Sequence, residues 1–103
     1  MSKHFNKDVD ELFEAFLALQ DEEECKRFLH DLCTIKELND FAARLEVAKR
    51  LKAGENYLDI SKATGASSAT ISRVSTCLFH GKGGYREILE RMEEKADQAS
   101  GES

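Results

Sequence analysis

Apolar residues recur along most of this chain at intervals of three and four, the spacing of one face of an α-helix. Val9, Leu12, Phe13, Phe16 and Leu17 form a first stripe, and Cys25, Phe28, Leu29 and Leu32 a second. Asp21 with Glu24 reads as an N-cap pair ahead of the second stripe. It puts an acidic run in a first turn, where the helix dipole favours negative charge. Thr34 with Glu37 makes a capping box. It opens the longest predicted helix, whose apolar positions are Leu38, Phe41, Ala42, Leu45, Ala48 and Leu51. Gly54 ends that helix, with Lys49, Arg50 and Lys52 in its last turns. A short helix from Tyr57 to Thr64 stops at Gly65, and another runs from Ser67 to about Phe79. The run Gly81-Lys82-Gly83-Gly84 breaks the pattern before a last helix carrying Tyr85, Ile88, Leu89 and Met92. Proline is absent and strand-like alternation is scarce, so the expected class is all-α, with six helices.

With 103 residues the chain suits one domain. That domain is expected over residues 8–96, between a flexible stretch, 1–7, and a small polar tail, 97–103, expected to be disordered. The stripes holding Phe13, Phe16, Phe28 and Phe41 are wide for so short a chain, which alone buries a modest share of its surface. Homodimerisation through the N-terminal helices would supply the missing core. No apolar run approaches the roughly 20 residues of a bilayer span. The first residues lack the apolar stretch of a signal peptide, so a cytoplasmic address and no membrane partner are expected. Cys25, Cys33 and Cys77 form no C-x-x-C pair and the histidines are dispersed, so no metal is expected. No catalytic arrangement of Ser, His and Asp or of Cys and His can be placed. The glycine run at 81–84 is too short for a phosphate loop and lacks the Ser or Thr after its lysine. An enzyme is not expected.

Charge changes the picture when it is divided along the chain. The net charge is −5 overall, which by itself speaks against nucleic acid. Residues 44–82, however, carry 7 basic and 3 acidic residues between two acidic flanks. Inside this basic stretch, residues 57–79 read as a helix-turn-helix: a short helix holds Leu58, Ile60 and Ala63, and small Ser61 stands where two helices cross. Gly65 supplies the turn. Ser67 or Ser68 caps the second helix, with Ile71 and Val74 pointing inward. Recognition helices read bases with their first residues, here Ser67, Ser68, Ala69, Thr70, Ser72 and Arg73. Lys49, Arg50, Lys52, Lys62 and Lys82 are the candidates for phosphate contacts. Double-stranded DNA and a second copy of the chain are thus the expected partners. A helical protein–protein module without DNA binding is the alternative, motivated by how few long side chains the second helix offers.

Four stretches carry a family resemblance: Cys33-Thr34, Phe41 through Val47, Leu51 to Glu55, and Gly65 through Arg73. They resemble the Trp repressor family, and within it the YerC/YecD branch. The likeness covers about residues 8–95 and is strongest over 33–78. It implies an all-helical, intertwined homodimer whose fourth and fifth helices form a DNA-reading head, and hence a transcriptional repressor. It also implies an effector pocket. Arg44 and Arg73 match two arginines that flank a bound indole, Thr34 a donor of a main-chain carbonyl, and Thr70 a threonine near the pocket. Val74 stands where the family has a glycine under the ring, and Cys77 where it has a serine. An isopropyl group in that slot costs roughly 1–3 kcal/mol, which argues against tryptophan and for no cofactor. The stretch between Gly54 and Gly65 is one residue shorter than its counterpart, so operator preference does not carry across.

Overall fold

The computed structural model describes residues 5–101, and the described residues form six helices and no strand. They are α1 (Lys7–Ala18), α2 (Glu22–Leu32), α3 (Ile35–Lys52), α4 (Tyr57–Thr64), α5 (Ser68–His80) and α6 (Gly84–Gly101). Short-range capping explains most of the boundaries. Asp21 accepts from the Glu24 N–H at 2.9 Å, as its spacing predicts. Thr34 and Glu37 bond reciprocally, the Thr34 N–H donating to the carboxylate at 2.9 Å and the Thr34 hydroxyl accepting at 3.0 Å. Asn6 caps α1 by accepting from the Val9 N–H at 2.9 Å, a signal inside the stretch expected to be flexible. At the other end, α6 runs on to Gly101, over part of the tail expected to be disordered. No glycine or proline interrupts residues 85–100, so the helix has nothing to stop it. The remaining parts of both expectations, residues 1–4 and 102–103, lie outside the described residues.

The single domain expected over 8–96 divides into two compact units, one ending at Leu38 and the other starting at Asn39. In the first unit, α1 and α2 bury no residue. Phe16 meets Phe28 edge to face, with ring centroids 5.8 Å apart, yet Phe13, Phe16, Leu17, Leu32 and Ile35 all stay exposed.

The second unit holds the core. Val47, Ala48 and Leu51 of α3 meet Ile60 of α4, Ile71, Val74 and Leu78 of α5, and Leu89 of α6. Val47, absent from the expected stripe of α3, is fully buried, whereas Phe41, included in that stripe, is exposed. Helix α3 is apolar on more than one side, and the helices packed on it select the face carrying residues 47, 48 and 51. Ile60 sits at the centre of this cluster with no exposed surface. Ile60→Ala is therefore expected to cost about 2–5 kcal/mol, a large part of the roughly 5–15 kcal/mol that holds a domain folded. Urea unfolding checks this, and a loss below about 1 kcal/mol would remove Ile60 from the centre of the core.

Candidate nucleic-acid interface

Two capped helices and one glycine build the candidate helix-turn-helix. Asn56 caps α4 by accepting from the Asp59 N–H at 2.8 Å. The helix ends at Gly65, whose φ of 76° lies in the left-handed region that a side chain would strain. Its N–H returns to the Ser61 carbonyl at 2.8 Å. Ser67, not Ser68, then caps α5, accepting from the Thr70 N–H at 3.1 Å and donating its own hydroxyl proton to Thr70 Oγ1 at 3.1 Å. Ile71, Val74 and Leu78 are drawn into the core, which turns the opposite side of α5 outward. Ser67, Ser68, Ala69, Ser72 and Arg73 are exposed. Thr70 is half-buried and faces the grooves beside Arg44 instead. On α4, Ile60 reaches the core, whereas Leu58 and Ala63 are exposed.

The candidate cations fall into two groups. Lys49 lies 3.4 Å from Glu46, and Arg50 bonds both Glu46 at 2.9 Å and Glu55 at 3.1 Å. Hydrogen bonds that the Arg50 guanidinium donates to Glu55 first, and then to Glu46, hold it above its ordinary pKa. Lys52 is paired with Glu93 of α6 at 3.1 Å. Each of these three basic groups thus has a carboxylate beside it. Lys62 is exposed on α4 and Arg73 on α5, and neither forms an ion pair among the described residues.

Behind the reading face, α3, α5 and α6 enclose a groove of about 500 Å³, lined by Arg44, Thr70, Arg73, Val74, Cys77 and Tyr85. Five of the six residues expected at an effector pocket therefore come together. The sixth, Thr34, is engaged in the capping box of α3. Val74 is 3% exposed, its side chain given over to the core. Arg44 lies over the Phe41 ring, 5.5 Å from its centroid. Tyr85 is the residue that the reading of the sequence did not assign to the groove. Its place in the first turn after the glycine break was the available signal. Burial pushes its phenol up, Cys77 pushes the same way, and the positive charges of Arg44 and Arg73 pull it back. The groove thus combines two cations, Arg44 of α3 and Arg73 of α5, with the apolar side of Val74 and the Tyr85 ring.

Comparison with known proteins adds a lineage to this geometry. The family model described as Trp repressor protein matches residues 7–93. The uncharacterized protein YerC of Bacillus subtilis (strain 168) is 49% identical over 94 residues, which span 91% of this chain and 90% of that protein. A crystal structure of a candidate Trp repressor from Staphylococcus aureus is similar at a TM-score of 0.81 and 46% identity, covering 89% of this chain and 92% of its own. A TrpR-like protein from Eubacterium eligens ATCC 27750 gives a TM-score of 0.82 at 44% identity, covering 90% and 96%. The expected all-α, six-helix class and the resemblance read over residues 8–95 both agree with these likenesses.

Proposed function

We propose, from the premise that this chain belongs to the Trp repressor family, that it is a transcriptional repressor which reads duplex DNA as a homodimer in the cytoplasm. One observation carries the reading. The capped start of α5 presents Ser68, Ala69, Ser72 and Arg73 to solvent beside Lys62, whose charge has no carboxylate partner among the described residues. Small side chains let a helix lie deep in the major groove, while hydroxyls, Lys62 and Arg73 reach phosphates. The exposed apolar faces of α1 and α2 support the second copy, which would complete the single domain over 8–96. No catalytic step belongs to this function. Selection of duplexes from a random-sequence pool at low salt, followed by equilibrium binding, tests the reading. A protein that retains no duplex removes it.

The groove beside Arg44 and Arg73 is the place for an effector, and in this reading tryptophan is not that effector. The isopropyl group of Val74 belongs to the packed core, so an indole ring entering there has to displace it. Adding L-tryptophan is expected to leave duplex affinity unchanged, and titration calorimetry is expected to show no heat of binding. A rise in duplex affinity with tryptophan would overturn this.

A protein–protein module is the second reading, favoured by Tyr57 and Leu58, apolar side chains exposed on α4 at 43% and 65%. It predicts a stable heterologous partner on purification and function intact in Lys62→Ala and Thr70→Ala.

A further inference from the structure

The turn between α4 and α5 is closed by more than its glycine. Ala66 lies between Gly65 and the capping Ser67, and α4 side chains hold both of its main-chain polar groups. Thr64 Oγ1 donates to the Ile60 carbonyl at 2.8 Å, which leaves a lone pair facing the turn, and it accepts from the Ala66 N–H at 3.2 Å. Ser61 Oγ donates to the Ala66 carbonyl at 3.0 Å. Ser61 therefore serves two successive turn residues, since its own carbonyl already accepts from Gly65. Ser61, Thr64 and Ala66 are all half-buried, and the Ala66 methyl packs against the core cluster.

We propose that Ser61 and Thr64 are positioning residues for α5. Their hydroxyls clamp the N–H and the carbonyl of Ala66, and so set the direction in which the reading helix leaves the turn. The inference rests on the DNA-reading function proposed above and adds to it two residues that touch no base or phosphate. The physical need arises at Gly65. A residue without Cβ admits many backbone angles, so a glycine turn alone is a permissive joint. Base readout tolerates little of that freedom, because a hydrogen bond weakens steeply within a few tenths of an ångström and beyond modest misalignment. Ser72 and Arg73 lie in the second turn of α5, roughly 6–8 Å along its axis from Ser68, with their side chains extending further. A small change of angle at Ala66 thus moves the side chains of Ser72 and Arg73 by more than a hydrogen bond permits. Phosphate contacts from flexible Lys62 absorb such a shift. The clamp is therefore expected to govern discrimination between sequences more than overall affinity.

The test uses the full chain as Ser61→Ala, Thr64→Val, the double variant, and Thr64→Ser, which keeps the hydroxyl. Two duplexes serve as probes: one recovered by the wild type from a random-sequence pool, and a scrambled duplex of the same composition. The double variant is expected to keep its helix content by circular dichroism and its affinity for the scrambled duplex. It should lose about tenfold or more for the recovered duplex, in line with the removal of several net hydrogen bonds. The Ala66 amide should exchange faster with solvent, and Thr64→Ser should restore both readings. Retained discrimination in the double variant overturns the proposal, as does unchanged protection of the Ala66 amide. Should the wild type recover no duplex, the DNA-reading function fails on its own. Residual dipolar couplings then decide the clamp, and an unchanged α4–α5 orientation in the double variant overturns it. Should the double variant unfold, Thr64→Val alone, which removes the acceptor of the Ala66 N–H, is read by the same measurements.

Discussion

Phe13→Glu together with Phe16→Glu is expected to turn the protein into a single sedimenting species of 11.6 kDa that no longer holds duplex DNA. The wild type is expected at about twice that mass, as a two-fold symmetric pair. In the single chain, α1 and α2 bury no residue, and Phe13 and Phe16 remain 44% and 40% exposed despite their ring partners Phe5 and Phe28. Leu17, Leu32 and Ile35 extend the same apolar surface. Monomeric proteins seldom leave such a surface uncovered. Covering the exposed part of four phenylalanine rings across a two-fold interface contributes on the order of 2–5 kcal/mol before the cost of association is deducted. Glutamate removes that gain and adds the desolvation of a carboxylate. A dimer that survives both substitutions would place the interface elsewhere and remove the inferred role of the N-terminal helices.

The second large effect is the dependence of duplex binding on salt, whose slope separates two sets of cations. Each neutralised phosphate contributes about −0.9 to the slope of log affinity against log salt. With Lys62 and Arg73 as the only contacts, a dimer neutralises four phosphates, and the slope is about −3.6. Affinity then falls roughly 150-fold between about 50 and 200 mM salt. Were Lys49, Arg50 and Lys52 to contribute as well, ten contacts would give a slope near −9. The structure favours the shallow slope, because Glu46, Glu55 and Glu93 already neutralise those three groups. Lys62→Ala is expected to flatten the slope by about 1.8, one contact per protomer, and to weaken all sequences alike. Lys52→Ala is expected to leave the slope as it is. A steep wild-type slope that flattens in Lys52→Ala would show that DNA pulls this lysine from Glu93, and would restore the broader basic face.

The site was legible in part for the same reason that the charges were misleading. Residues 44–82 are basic by count, yet three of the seven cations are answered by carboxylates, and one of those, Glu93, stands 41 positions along the chain from Lys52. A count along the sequence registers charge without its partner. Thr70 shows the same limit. Its place in the first turn of a recognition helix suggested contact with DNA, but the pull of Ile71 and Val74 into the core rotates it toward Arg44. Tyr85 joined the groove through the packing of α6 on α5; its place in the first turn of α6 was legible, but the helix it would face was not.

Features that depend on neighbours three or four residues away could be read directly from the order of amino acids: the six helices, the capping box at Thr34, the cap at Ser67 and the left-handed turn at Gly65. Their partners lie within one helical turn, and backbone sterics leave them one good geometry. The burial of Val47 over Phe41, the pairing of Lys52 with Glu93, the clamp on Ala66 and the gathering of Arg44, Arg73 and Tyr85 around one groove needed the folded chain. Each of these depends on which face of a helix its neighbours cover. A helix apolar on several sides, as α3 is, leaves that choice to packing.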